Sequence, residues 1–294
     1  MMDLLLKKST INWCESDYYH SSYIAEIYNS LTGIFLCLSP ILFYHTYKKD
    51  YRFCTCIFYL LHSLKLLFIV GIGTILFHGS LMYVFQLIDE LSMLLLCIEY
   101  TNLLNTLVKT DTIVYTRQFK FINLHTILFK YSLCIIISIL GFINDTLQVV
   151  VFQLSILGFT ISMIIKLYKV FMHHNITYNN LLIQKRKLED AFLYNYKYLN
   201  NLTHLKNIIM TLRQYNEDLK YALVISILTG ISSIIVWKYD QLQCTNNISR
   251  YNRSGYNRYI GHVGISGHAI WHVLTSIALY HVNKILLIFI TLYN

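Results

Sequence analysis

The chain has 294 residues, of which 55% are hydrophobic and only 13% are charged, and its mean hydropathy is +0.48. Soluble domains carry about 25% charged residues, so this composition excludes an ordinary soluble protein, and a single Pro and 11 Gly argue against a disordered chain. The net charge of +9 does not indicate nucleic-acid binding, because the Lys and Arg residues lie between apolar runs rather than on one soluble face.

Seven apolar runs follow one another along the chain, each near the roughly 20 residues that a helical span needs. We therefore predict an all-α polytopic membrane protein with seven transmembrane helices and a single domain over residues 1–294. A β-barrel is not expected, because the runs are continuous rather than alternating. The predicted spans cover residues 24–46, 54–78, 85–107, 122–142, 149–171, 219–238 and 267–291.

The segments between the spans predict the orientation of the chain. The longest are 172–218, a basic loop that is partly helical in pattern, and 239–266, a polar loop. Lys and Arg concentrate in the loops after spans one, three and five, so we expect the N-terminus on the luminal side and the C-terminus in the cytosol. The apolar part of "MMDLLLKKST" is too short for a cleavable signal peptide.

The first concentration of polar residues lies at the edge of span one, in "NWCESDYYHSSYIAEIYNS". It gathers the oxygen-bearing side chains of Asn12, Glu15, Asp17 and Glu26. Hard oxygen atoms packed in a short segment suit calcium. Taken alone, such acidic residues most often form a solvated segment beside the membrane.

Two further concentrations lie in or beside apolar spans, where an ionisable side chain costs about 2.5–3.5 kcal/mol. In "GTILFHGSLMYVFQLIDELSML", Thr74 and His78 share a helical face, and Asp89 and Glu90 follow a tight turn. In "SGHAIWHVLTSIALYH", His268 and His272 are spaced i, i+4, so both rings could reach one tetrahedral ion. Taken alone, a single buried His more often packs as a polar contact, and paired His also occurs at interfaces and in haem sites. We interpret Glu90 as structural or as a neighbour of the site.

These polar residues all come at span ends on one side in the predicted topology, where the acidic N-terminal segment also lies. One shared site would therefore explain all of them. Three protein ligands with an open fourth position are typical of catalytic zinc.

With these motifs in this order, the sequence resembles the alkaline ceramidase family, seven-span zinc hydrolases of the CREST superfamily. The similar stretches are "NWCESDYYHSSYIAEIYN", "GTILFHGSLMYVFQLIDELSML", "WKYDQLQC" and "GHAIWH". The resemblance implies a role in sphingolipid metabolism, namely zinc-dependent hydrolysis of ceramide to a sphingoid base and a fatty acid. It also implies an endoplasmic reticulum or Golgi membrane, ceramide and the bilayer as partners, no nucleic acid and no obligate protein partner.

The resemblance also implies a role for particular residues. Asp89 falls at the family's acid/base position, and Thr74 takes the place of a Ser that stabilises the oxyanion. Cys244 and Asp240 match a WxxDxxxC element, for which Cys14 is a candidate disulfide partner. The implied zinc ligands are His78, His268 and His272. The implied calcium ligands, within the N-terminal metal-binding segment 1–23 and just after it, are Asn12, Trp13 through its carbonyl, Glu15, Asp17 and Glu26.

The sequence departs from the family at several of these positions. Asn12 replaces an Asp, and Asp17 stands where family members often have Asn, so the total charge of the calcium site is preserved. Thr74 adds a methyl group to the family's Ser, and Ser92 stands in place of a Pro.

Two other functions remain open from the sequence. One is a seven-span, zinc-containing receptor of the same superfamily with little hydrolytic activity, which the short segment before span one disfavours. The other is a metal transporter, which would need polar residues in several spans through the whole bilayer, whereas here they gather at one end.

Overall fold

A computed structural model describes residues 7–11, 13–51, 55–110, 124–192, 199–252 and 265–293. Within these ranges the chain is all-helical and contains no strand, so the all-α prediction is confirmed. A short 3-10 helix, Lys48–Asp50, follows the first α-helix. The α-helices are α1 (Ile27–Tyr47), α2 (Thr55–Ser80), α3 (Tyr83–Thr110), α4 (Leu124–Ile143), α5 (Asp145–Phe192), α6 (Leu199–Asn252) and α7 (Gly267–Tyr293).

The lengths and compositions of these helices agree with an integral membrane protein. Over the described ranges, five segments are long and apolar enough to cross a bilayer. In α4 the apolar stretch is shorter, at Ser132–Ile143. The count of seven spans therefore stays a prediction. The five segments are Ile27–Asp50, Cys56–Ser80, Asp145–Lys187, Ile209–Leu242 and Gly267–Leu292.

Where the structure describes them, the two predicted long loops are helical almost throughout, which corrects the sequence interpretation. Helix α5 continues through residues 172–192, α6 already includes 199–218, and α6 then runs on to Asn252. No Gly or Pro occurs in 172–218 or in 239–252, so nothing in the sequence interrupts the helices. At 48 and 54 residues, α5 and α6 are about 70–80 Å long, well beyond the roughly 30 Å hydrocarbon core.

Glycines allow α2 to lie very close to its two neighbours. A Cβ atom at Gly71 would lie 2.5 Å from the Sγ atom of Cys37 in α1. A Cβ atom at Gly73 would lie 2.7 Å from the backbone nitrogen of Asp89 in α3. Because these contacts leave no room for a side chain, the start of α3 is held directly against the last turns of α2.

The N-terminal segment crosses the end of the bundle where α2 meets α3. Leu81 adopts a φ of 53°, in the left-handed region, and forms the predicted tight turn between these helices. The backbone of Lys8 pairs with Met82 in an isolated β-bridge, and the backbone N–H of Glu26 donates to the carbonyl of His78 over 2.9 Å. The segment therefore covers the end of α2 that carries His78.

Candidate metal centre

Three histidines from two helices meet inside the protein. His78 lies in the last turn of α2, and His268 and His272 lie in the first two turns of α7. Their side chains are 1%, 3% and 1% exposed, and their ligand nitrogens all lie within 4.8 Å of one another. Among the described ranges this is the one group of three or more His, Cys, Asp or Glu side chains with that geometry. The group could hold a metal ion.

Hydrogen bonds hold two of the rings with a defined nitrogen inward. The Nδ1 atom of His78 lies 2.5 Å from Oε2 of the buried Glu26, so Nδ1–H donates to the carboxylate. The Nδ1 atom of His272 lies 2.9 Å from Oγ1 of Thr32, which itself donates to the carbonyl of Tyr28. Because the proton of Thr32 is directed at backbone carbonyls, we assign the Nδ1–H of His272 as the donor and Thr32 as the acceptor. In both rings this leaves the lone pair on Nε2, the arrangement that metal-binding histidines need.

The third ring, His268, is positioned by aromatic stacking. The indole of Trp13 stacks on it with a centroid distance of 3.8 Å and an interplanar angle of 13°, and Trp271 lies nearly parallel at 5.2 Å. Its Nδ1 atom is buried and has no hydrogen-bond partner in the part of the chain that the structure describes. Its Nε2 atom lies 3.3 Å from Nε2 of His78.

The histidine group fits a tetrahedral metal ion. Zn–N bonds of about 2.0–2.1 Å imply nitrogens about 3.3–3.4 Å apart, which the His78–His268 pair meets. The nitrogens of the three histidines are up to 4.8 Å apart, which is longer than this tetrahedral spacing, so an ion would draw them closer together. Imidazole also suits copper, iron and nickel, so the geometry alone does not select zinc.

Thr74 lies one helical turn before His78 in α2, and its hydroxyl contacts Asp89 of α3. The side chains of Thr74 and Asp89 are both buried, at 1% and 6% exposure. The hydroxyl of Thr74 lies 2.8 Å from Oδ1 of Asp89 and 2.9 Å from the carbonyl oxygen of Val70, so its proton is shared between two acceptors. The close contact at Gly73 brings Asp89 to this position.

Glu90 points to a different set of partners. Its carboxylate accepts from the amides of Gln86, over 2.8 Å, and Gln148, over 2.5 Å. Thr10 in turn bonds both amides. Glu90 thus links α3, α5 and the N-terminal segment, which agrees with the structural interpretation made from the sequence.

The candidate calcium residues are partly engaged with the protein. Both oxygens of Glu15 accept backbone N–H groups at the start of α1, from Tyr28 over 2.7 Å and from Asn29 over 2.8 Å. Burial raises the pKa of Glu15, and these two hydrogen bonds offset part of the rise. Asp17 is exposed and Asn12 lies outside the described residues, so calcium binding stays a prediction.

Cys14 connects the N-terminal segment to α6. It is buried and disulfide-bonded. Its Sγ atom lies 3.5 Å from the carbonyl oxygen of Asp240, one helical turn before Cys244, whose side chain is outside the described part of the chain. The Asp240 carboxylate accepts the N–H of Gly267 over 2.9 Å, so the same residue fixes the start of α7.

Sequence reasoning missed several contacts around the histidines. It assigned Glu26 to calcium only and Trp13 only through its carbonyl, and it did not mention Thr32. No local pattern could reveal the contacts of Glu26 and Thr32 with the histidine rings, because the partners are 52 and 240 residues apart. These contacts depend on how α1, α2 and α7 pack.

Comparison with known proteins identifies relatives. The Ceramidase family model matches residues 6–294. The chain is 45% identical to Alkaline ceramidase YPC1 of Saccharomyces cerevisiae over 91 residues, which cover 29% of this chain and 26% of that protein. It is 32% identical to Alkaline ceramidase 1 of Mus musculus over 92 residues, which cover 30% of this chain and 32% of that protein. It is 28% identical to Alkaline ceramidase 3 of Mus musculus over 134 residues, which cover 43% of this chain and 44% of that protein. The aligned part thus spans less than half of each of these relatives.

Proposed function

The chain belongs to the ceramidase family, and from that premise we propose that it hydrolyses the amide bond of ceramides to a sphingoid base and a free fatty acid. The observation that carries the proposal is the buried histidine group, with Thr74 one helical turn before His78 and bonded to Asp89.

We assign zinc to His78, His268 and His272. A zinc ion held there supplies Lewis acidity, which polarises an amide carbonyl and makes a water molecule acidic near neutral pH. Glu26 and Thr32 orient two of the rings through Nδ1, and Trp13 restrains the third by stacking. The chain itself thus fixes the direction of all three imidazoles.

Asp89 is the proposed proton carrier. It accepts a proton from the attacking water as the water oxygen bonds to the amide carbon, and it delivers that proton to the nitrogen as the carbon–nitrogen bond breaks. Thr74 can turn its hydroxyl from its present acceptors toward the developing oxyanion. Loss of one such donor typically costs about 10²–10³ in rate.

The position of the site suits a lipid substrate. The histidines lie at the ends of two apolar helices that are long enough to cross a membrane, so the amide group can reach them while the hydrocarbon chains stay in the bilayer. We retain the proposed endoplasmic reticulum or Golgi location with a luminal N-terminus and a cytosolic C-terminus.

Calcium is proposed to order the N-terminal segment rather than to take part in the chemistry. Glu15 and Glu26 are 1% and 0% exposed, and the charge of Glu26 contributes to the raised pKa of Glu15. Two buried carboxylates that repel each other favour a bound cation, and oxygen ligands suit calcium. The proposed ligands are Asn12, Trp13 through its carbonyl, Glu15, Asp17 and Glu26.

The test is a product assay on purified protein with ceramide labelled in the acyl chain. His272→Ala should lower fatty-acid release by at least about a hundredfold, more than the loss of an outer hydrogen bond costs. His281→Ala, on the same helix but outside the histidine group, is the matched control and should keep activity. Equal release from wild type and His272→Ala would refute the assignment. Release that is unchanged by a calcium-selective chelator would refute the calcium proposal alone.

A further inference from the structure

A groove opens between α1 and α2 at the end of the bundle away from the histidines. Its volume is about 900 Å³, within the range of small-molecule sites. Tyr44 from α1 and Phe58 and Phe68 from α2 line it, and each is more than a third exposed. Lys65, also in its wall, is 13 residues from His78 along α2, or about 20 Å. The groove is therefore separate from the candidate metal centre.

The local sequence explains why the groove begins where it does. At Gly71 the backbones of α1 and α2 are in contact, with no room for a Cβ atom against Cys37. The groove starts two to three residues further on, at Ile69 in α2 and Pro40 in α1. A Pro inside a helix removes a backbone hydrogen bond and bends the helix. The space between α1 and α2 is thus closed at Gly71 and opens into the groove on the side of Gly71 away from the histidines.

The polar residues of this apolar groove are basic. Lys65 and His62 from α2 and His45 from α1 line it, and all three are exposed. Among the described residues, the carboxylate of Glu99 lies near this group, with its Oε2 atom 4.0 Å from Nδ1 of His62. Within the described residues no carboxylate forms an ion pair with Lys65.

More positive charge lies at the mouth of the groove. The 3-10 helix Lys48–Asp50 directly follows α1, and it contributes two exposed lysines against one exposed aspartate. Basic side chains thus occur at two levels: at the membrane surface, and within the groove.

The depth of Lys65 calls for a negatively charged partner. It lies nine residues into the segment Cys56–Ser80, or about 13–14 Å along the helix. A lysine can extend its chain of roughly 6 Å back toward the interface, but a charged group at this depth remains costly without a counter-ion. Intramembrane basic residues that face an apolar cleft are typical of binding sites for anionic lipid head groups.

We propose that this groove binds one anionic glycerophospholipid from the leaflet farther from the histidines. One acyl chain lies along Phe68, Ile69 and Pro40 at the deeper end of the groove, and the phosphate contacts Lys65 and His62. A glycerophospholipid fits better than a fatty acid, because its larger head group can reach both Lys65 and the lysines of the 3-10 helix. A neutral ceramide gains nothing from these charges, so the site is not a second substrate site.

The experiment measures lipid binding by the full-length protein. Purified protein is exchanged into detergent with phosphatidylserine, phosphatidylcholine or oleate, and bound lipid is counted by native mass spectrometry. Wild type should retain one phosphatidylserine per chain in preference to phosphatidylcholine. Lys65→Gln should weaken this binding by about tenfold, the size expected for one hydrogen bond to a charged group.

Two variants separate the proposal from a general charge effect. Lys65→Arg keeps the charge and should keep binding. Lys169→Gln removes an exposed lysine from α5, outside the groove, and should also keep binding. Equal retention of phosphatidylserine and phosphatidylcholine by wild type, or unchanged binding by Lys65→Gln, would overturn the proposal. Preferential retention of oleate would also overturn it, in favour of a fatty-acid site.

Discussion

The two ends of α2 both place ionisable side chains in an apolar helix, but they surround them differently. At one end His78 is 1% exposed, is bonded through Nδ1 to Glu26 and faces two other histidines. At the other end Lys65 is exposed, and the side chain of His62 is 57% exposed toward the α1–α2 groove. The first environment supplies a protein carboxylate as the partner of His78, whereas the second leaves the partner of Lys65 to the membrane.

This difference separates two functions of charge in one helix. Catalysis and metal binding require side chains in a fixed orientation, and hydrogen bonds and packing at the histidine end provide it. Exposed basic side chains on long stems adapt to whatever anionic group is nearby, which suits a lipid. We therefore expect substitutions at the histidine end to affect hydrolysis strongly and substitutions at the groove end to affect lipid binding alone.

The largest effect is expected for Asp89→Asn. The amide can still accept the hydrogen bond from Thr74, but it cannot take a proton from water, so kcat should fall by about 10²–10⁴ while bound metal is retained. Glu90→Gln is the matched control, since among the described residues the carboxylate of Glu90 bonds the amide side chains of Gln86 and Gln148 and neither a histidine nor Thr74. Turnover of labelled ceramide and metal content are measured on both variants. Equal losses of kcat would contradict the assignment of Asp89.

The next largest effect is expected for Glu26→Gln. Its Oε2 atom accepts the Nδ1–H of His78, and loss of such an outer carboxylate typically weakens metal binding by about 10–100-fold. Competition with a metal chelator measures the zinc affinity. Asp17→Asn changes the proposed calcium site without a contact to His78 and should leave the zinc affinity unchanged. If both variants bind zinc like wild type, Glu26 does not orient the ring.

A smaller effect, on stability, is expected for Gly73→Ala. The new Cβ atom would lie 2.7 Å from the backbone nitrogen of Asp89, so α2 and α3 must separate, at a cost of about 1–3 kcal/mol. Thermal unfolding in detergent measures the change in Tm. Gly158→Ala in α5 meets nothing within 4 Å and should not lower Tm, because Ala favours the helix by about 1 kcal/mol. A Tm for Gly73→Ala equal to that of wild type would show that the contact is loose.

The smallest effect on hydrolysis is expected for Lys65→Gln. Its side chain is exposed and about 20 Å from His78, so kcat in detergent without added phospholipid should change by less than about twofold. The same ceramide assay measures it, with Asp89→Asn as the inactive reference. A large loss in the absence of phospholipid would mean that the two ends of α2 are not independent.

The sequence was sufficient to predict the features that depend on local spacing. The i, i+4 spacing of His268 and His272 and the motif around His78 indicated one shared site, and the structure brings these three residues together. The tight turn before Asp89 is also present, at Leu81. Each of the seven predicted spans overlaps one of the α-helices that the structure describes.

Features that depend on tertiary packing or on helix continuation were not predictable. The predicted loops became extensions of α5 and α6, because polarity was taken as a loop signal although no Gly or Pro breaks the helix. The bonds of Glu26 to His78 and of Thr32 to His272 join distant parts of the chain, and only the packed helices reveal them.

The most direct test of the central claim is metal analysis of the purified protein combined with its ceramide turnover. We expect one zinc ion per chain in wild type, little zinc in His268→Ala, loss of hydrolysis after chelation and its return when zinc alone is added back. Full hydrolysis by metal-free protein, or an equal zinc content in His268→Ala and wild type, would contradict the proposal that the three histidines form the catalytic metal centre.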